Sequence, residues 1–198
     1  MRPGIRLFTL LFLLAAAQPL WAAVADGEST YEIEVLIFEN RLPDLTGDEL
    51  LARDSADQHP RGLEQAFPPE ASNGESFLTP VVAKQLEQDG HYRVLAHAQW
   101  LQTIDAKTIA KPVRITSGSP ATPGELDGLI RFYMSRYLHL DVNLEFRDPA
   151  SDKATPVIYR MSEQRRIKSQ ETNYFDHPKF GVLVRVMPVE KNEEEKKL

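Results

Sequence analysis

No cysteine occurs anywhere in the 198 residues. That absence excludes a disulfide scaffold, a thiolate metal site and a cysteine nucleophile. Basic charge is also short: 23 Lys plus Arg stand against 29 Asp plus Glu, for a formal charge of −6. A dedicated nucleic-acid binder needs a basic surface to displace counterions, so the charge argues against that class. Catalytic signatures are missing too. There is no Gly-x-Gly-x-x-Gly, P-loop, His-Glu-x-x-His, Gly-x-Ser-x-Gly or Ser-x-x-Lys. The five histidines, His59, His91, His97, His139 and His177, show no metal-ligand spacing. His91 and His97 share a strand face but lie roughly 20 Å apart in an extended chain, too far for one ion. The sequence therefore points to no metal, no cofactor and no catalytic residue. Past residue 25, no apolar run is long enough to span a bilayer.

What is present begins with an export signal. Arg2 and Arg6 give a positive start, Leu7 to Ala17 is an uncharged apolar run, and Ala23-Val24-Ala25 is a small-x-small cleavage site. This three-part order predicts a secretory signal peptide over 1–25, removed on export to the periplasm. Cleavage removes two Arg and no acid, which takes the formal charge from −6 to −8. A cysteine-free chain suits that oxidising compartment, because it cannot form wrong disulfides. The remaining length is one domain's worth, and 42% apolar with 26% charged residues is ordinary for a globular domain. The expected organisation is a single domain over 26–189, with a long polar loop at 40–75 and a disordered charged tail at 190–198.

Period-two runs dominate the mature chain. Tyr31 to Phe38 reads as a strand apolar on both faces toward its end, so it is expected to be central. The loop after it carries Pro43, Pro60, Pro68 and Pro69, and Asp48 to Arg53 is a candidate helical turn. Ser76 to Asp89 reads as the principal helix, stopped by Gly90. His91 to Leu101 returns to strand, and Val113 with Ile115 suggests a short one. From Leu126 to Phe146 the even positions are apolar with the exception of Arg136, while the odd positions from Tyr137 read Tyr, His, Asp, Asn, Glu. This predicts one long strand, bent near Ser135, with a dry even face and a wet odd face. A turn over Asp148 to Thr155, a return strand over Pro156 to Lys168 and a last strand over Phe180 to Val189 complete the order. Helices are too few for a doubly wound sheet. The expected fold class is α+β: a mainly antiparallel sheet of about five strands with one principal helix packed on a face.

Two strings carry candidate binding chemistry. In Arg136-Tyr137-Leu138-His139-Leu140-Asp141 the arginine falls on the apolar parity. A buried guanidinium needs a carboxylate or several carbonyls. One reading is an internal ion pair, or a bulge that turns Arg136 outward; the other is a cleft arginine for a ligand carboxylate. The internal pair is the favoured expectation. Tyr137, His139 and Asp141 form a polar, partly aromatic stripe, suited to carbohydrate or peptide contact or simply solvated. The second string runs from Arg165-Arg166-Ile167-Lys168 to Tyr174-Phe175-Asp176-His177-Pro178. The cationic run is unusual in an acidic chain, and the Tyr-Phe-Asp-His-Pro run reads as an ordered loop.

These strings, with Tyr31 to Glu39, Gly90 to Leu95, His97 to Trp100 and Phe180-Gly181-Val182-Leu183-Val184, resemble the CsiV-like family of periplasmic peptidoglycan-binding, cell-shape-integrity proteins. The resemblance spans about Tyr31 to Pro188. Its Arg-Tyr-Leu-His and Tyr-Phe-Asp-His-Pro-x-Phe-Gly pieces are specific as a pair. The family pattern has a Trp-Pro before the helix, where this chain has Phe67-Pro68, a smaller aromatic platform. The resemblance implies a non-enzymatic module of the Gram-negative periplasm that binds peptidoglycan and supports wall synthesis and cell shape. It also implies a partner, the outer-membrane lipoprotein activator of a penicillin-binding protein.

On that reading Arg136, Arg165 and Arg166 meet carboxylates of the ligand. Tyr137, His139, Tyr174 and His177 complete the candidate ligand-binding set. Two other readings stand beside it. One is a periplasmic protein–protein interaction module that uses a sheet edge or the 40–75 loop. The other is a wall hydrolase, which needs two carboxylates roughly 5–10 Å apart; only Asp141 and Asp176 offer themselves, and nothing in their spacing supports it.

Overall fold

The computed structural model describes residues 28–42, 66–67, 69, 76, 78, 81–88, 90–105, 110–117, 125–148 and 157–189. The expected signal peptide, most of the 40–75 loop with its helical turn, most of the turn after Asp148 and the charged tail lie outside them.

Among the described residues, eight strands and one helix follow in order: β1 (Ser29–Asn40), α1 (Val81–Glu87), β2 (Tyr92–Ile104), β3 (Val113–Thr116), β4 (Leu126–Met134), β5 (Leu138–Asp148), β6 (Val157–Arg166), β7 (Thr172–His177) and β8 (Phe180–Pro188). They form two four-stranded sheets, ordered β2-β1-β8-β7 and β3-β4-β5-β6. Every pairing between these strands is antiparallel. Alternation dictates which side chains go inward. Ile33, Val35 and Ile37 of β1 and Phe180, Val182, Val184 and Val186 of β8 share one core with Ile130 and Phe132 of β4 and Leu140, Val142, Leu144 and Phe146 of β5. The two sheets thus pack face to face as a sandwich.

Polar ties fix the sheets to each other around this core. Gln102 of β2 donates to the Phe132 carbonyl of β4 at 3.0 Å. Lys179, in the β7–β8 turn, pairs with Asp148 at the end of β5 at 2.9 Å, both nearly buried. Arg93 of β2 bridges Glu39 of β1 and Glu125 just before β4.

β1 is central, as its two apolar faces require. Its outer face holds the fully buried Glu34. That carboxylate accepts from the Ser76 hydroxyl, from the Leu78 amide at 2.9 Å and from His97 Nε2 at 2.8 Å. The contacts pin the segment before α1 onto the sheet.

Several expectations are corrected here. The single sheet of about five strands is two sheets of four. The long strand over Leu126 to Phe146 is the β4–β5 hairpin, turned at Ser135-Arg136-Tyr137. Its register pairs Met134 with Leu138, Phe132 with Leu140 and Leu126 with Phe146. Even positions meet even positions, and cross-strand partners share a face. The period-two pattern therefore runs through the turn unbroken. Arg136 stands on the exposed turn and not on the dry face, so the expected internal ion pair is overturned. The outer face is also drier than expected at one end, where Leu129 and Glu145 are buried and Glu145 accepts from Arg160 at 2.8 Å.

The principal helix shrinks to α1, which buries none of its residues and rests against β2. Leu78, expected on the helix, is buried outside it. Finally, the Tyr-Phe-Asp-His run is an edge strand, β7, and not a loop. Asn and Asp are weak strand formers. The tight Pro178-Lys179 turn, gripped through both of its carbonyls by Asn40, folds β7 back onto β8.

Candidate functional site

The β4–β5 turn and the β6–β7 side of the sandwich gather six of the seven sequence-chosen residues. On the outer face of the second sheet the register makes rows. Tyr133, His139 and Arg166 form one row, and Arg131, Asp141 and Gln164 form the next. Tyr133 and His139 stack at 5.1 Å with planes 14° apart, and Gln164 donates to the Tyr133 hydroxyl. Arg131 pairs loosely with Asp141 at 3.9 Å.

Beyond these rows, at the turn, stands the exposed ring of Tyr137. The Arg166 guanidinium lies 3.4 Å from its centroid and that of Arg136 lies 5.7 Å away. Both fall within the ~6 Å reach of a cation–π contact, and the first lies directly over the ring. Neither arginine has an acidic partner among the described residues. Arg114, Arg160 and Arg165, by contrast, each hold a carboxylate. In an acidic chain, two uncompensated guanidinium groups on one exposed ring form a local anion-attracting point. Charge elsewhere is screened beyond roughly 8–10 Å, so the local cluster decides what binds there.

Arg165 is engaged differently. It pairs with Glu163, donates to the Tyr174 carbonyl at 2.8 Å and lies over the Phe175 ring at 4.5 Å. These contacts stitch β6 of one sheet to β7 of the other. Tyr174 faces outward on β7, half-exposed, with its ring parallel to that of Phe38 and its hydroxyl donating to Asp176 at 2.6 Å.

His177 does not join this surface. It points inward near the far end of β7, only 7% exposed, against Phe180 and Tyr159. Its Nδ1 accepts from the Lys179 amide at 3.1 Å, and its Nε2 has no partner among the described residues. Burial pushes its pKa down to about 4, against the opposing pull of Asp176. It is a neutral core histidine that shapes the β7–β8 turn.

Sequence reasoning missed Tyr133. Its signal was the odd parity it shares with His139, readable only once the hairpin register is known. The two carboxylates that a hydrolase would need do not meet. Asp141 lies on the outer face of one sheet, while Asp176 shares the outer face of the other with Tyr174. Stacked sheets are about 10 Å apart before outward side chains add to that distance. Among the described residues no group of three or more His, Asp or Glu could hold a metal ion.

The family model described as peptidoglycan-binding protein, CsiV, matches residues 79–189. That span contains α1, β2 to β8 and every candidate residue above. No curated protein and no solved structure matches the chain.

Proposed function

The chain belongs to the CsiV family of peptidoglycan-binding proteins, and on that premise we propose that it is a non-enzymatic periplasmic protein that holds peptidoglycan through the β4–β5 turn. The observation that carries this reading is the pair Arg136 and Arg166 on the exposed ring of Tyr137. Peptidoglycan stems present free carboxylates. A guanidinium binds a carboxylate in a planar, two-point geometry, and stacking on tyrosine orients Arg166 before the ligand arrives. Preorganisation of that kind lowers the ordering cost of binding. His139 and Tyr133 extend the surface beside it.

Support for the absence of catalysis comes from the opposed placement of Asp141 and Asp176 and from the lack of catalytic signatures in the sequence. Export rests on the basic, apolar and small-residue order of residues 1–25. A role in wall synthesis and cell shape, and the lipoprotein partner, rest on the family resemblance alone.

The test is co-sedimentation with purified sacculi followed by chromatography of the supernatant. The chain is expected to pellet with the sacculi and to release no soluble wall fragments. A chain left in the supernatant contradicts binding, and fragments that accumulate with time contradict the non-enzymatic reading.

A further inference from the structure

A second cluster lies on the outer face of the other sheet. Tyr92 of β2, Phe38 of β1 and Tyr174 of β7 form a row of rings there. Phe38 meets Tyr92 edge-on at 5.4 Å and Tyr174 in parallel at 6.3 Å, with planes 6° apart. Gly181 of β8 makes the row fit. A Cβ at 181 would stand 2.5 Å from Phe38 Cζ and 2.8 Å from Tyr174 Cε2, so the two rings occupy the space that any other side chain would take.

Phe38 is buried and Tyr174 is 45% exposed, which leaves the tyrosine as the presented ring. Its hydroxyl is tethered to Asp176 Oδ1 at 2.6 Å, and Asp176 itself is exposed. Partial burial and this hydrogen bond raise the hydroxyl pKa above its ordinary value, so Tyr174 stays the donor and the carboxylate stays the acceptor. From behind, Arg165 holds the Tyr174 backbone carbonyl. The result is a fixed, half-exposed aromatic plate with a carboxylate at its rim.

That chemistry matches a sugar ring and not an anion. A pyranose presents an apolar C–H face to an aromatic plate while its hydroxyl and acetamido N–H groups need acceptors at the edge. An exposed carboxylate supplies acceptors and repels stem carboxylates. The Tyr137 cluster has the opposite character: two cations and no free acid. Tyrosine also costs little rotamer entropy to immobilise, and here its hydroxyl and backbone are already held.

We propose that the Tyr174–Asp176 plate is an amino-sugar subsite, so that the β6–β7 side of the sandwich reads the glycan while the β4–β5 turn reads the stem carboxylates. This rests on the reading of the chain as a peptidoglycan binder and deepens it. Arg165 and Arg166 are adjacent on β6, the first tied to the sugar plate and the second to the carboxylate cluster. Successive strand residues point to opposite faces, so the two clusters sit on the two outer faces of the sandwich at its shared β6–β7 edge.

The experiment uses the full mature chain and three probes: intact sacculi, glycan strands freed of their peptides, and free stem peptide. Wild type is expected to bind all three, the two part-ligands more weakly than sacculi. Tyr174→Ala should weaken binding to bare glycan by about tenfold or more, equivalent to about 1.4 kcal/mol. Its binding to stem peptide should stay within about twofold of wild type. Asp176→Asn, at an exposed position that does not threaten folding, should weaken glycan binding in the same direction. Thermal melts identify any unfolded variant, and Asp176→Asn decides the matter if Tyr174→Ala is one. Wild type that binds sacculi but not bare glycan overturns the subsite, as does glycan binding unchanged in both variants. Failure of wild type to bind sacculi at all overturns the broader reading instead.

Discussion

The Arg166 guanidinium stacks on the Tyr137 ring at 3.4 Å, across the join between β6 and the β4–β5 turn. Charge and planarity are both used in that contact. Lysine keeps the charge but cannot stack or offer a two-point fork. Arg166→Lys is therefore expected to lose most of the sacculus affinity that Arg166→Ala loses, with unchanged thermal stability. Wild-type affinity in the lysine variant would show that only net charge matters at the turn.

The hairpin register makes a stability prediction. Leu140 is fully buried opposite Phe132, whereas Tyr137 stands exposed on the turn. Leu140→Ala should cost about 2–5 kcal/mol, the range for a buried leucine truncation. Tyr137→Ala should cost less than about 1 kcal/mol. Urea denaturation of the two variants checks this, and equal losses would contradict the assignment of faces.

Much of this architecture was legible in the sequence. The central place of β1, the short strand at Val113 and Ile115, and the dry even face from Leu126 to Phe146 follow from alternation, because each strand is dry on its inner side. Two features hid for a physical reason. A hairpin that pairs even with even positions prints the same pattern as one long strand, so Arg136 looked buried when it caps a turn. An edge strand such as β7 needs only one apolar face, and Phe175 is its sole fully buried hydrophobic residue. The candidate site was legible as residue types, in Arg136, Tyr137, His139 and Arg166. Its assembly was not, since the Arg166–Tyr137 contact joins positions that only the β5–β6 register brings side by side.

Glu34 offers a third test. A fully buried carboxylate with three donors is costly to remove, because the buried Leu78 amide loses its acceptor while Ser76 and His97, both exposed, can turn to water. Glu34→Ala should destabilise by about 2–4 kcal/mol. Hydrogen exchange at the Leu78 amide should rise well before global unfolding. An amide that stays as protected as in wild type would contradict the role of Glu34 in pinning that segment.

The neutral state of His177 gives a pH prediction. Its folded pKa lies near 4, below the ordinary 6.5. As pH falls through that window the unfolded chain takes up the proton first, so folding weakens between about pH 6.5 and 4. Above pH 6.5 the contribution is complete. The loss at the acid end is on the order of 3 kcal/mol. His177→Phe should show a shallower fall in stability across the same window, measured by urea midpoints at pH 7 and 4.5. Parallel pH profiles for variant and wild type would contradict the burial argument.

The central claim is that the guanidinium pair at the turn holds peptidoglycan, and the most direct measurement is co-sedimentation of wild type and the double variant Arg136→Ala/Arg166→Ala with purified sacculi at about 0.15 M salt. Both residues lie on the surface or at an edge, so circular dichroism and melting should match wild type. The account predicts that the folded double variant loses about tenfold or more in affinity. A folded double variant that pellets with sacculi as wild type does would contradict it.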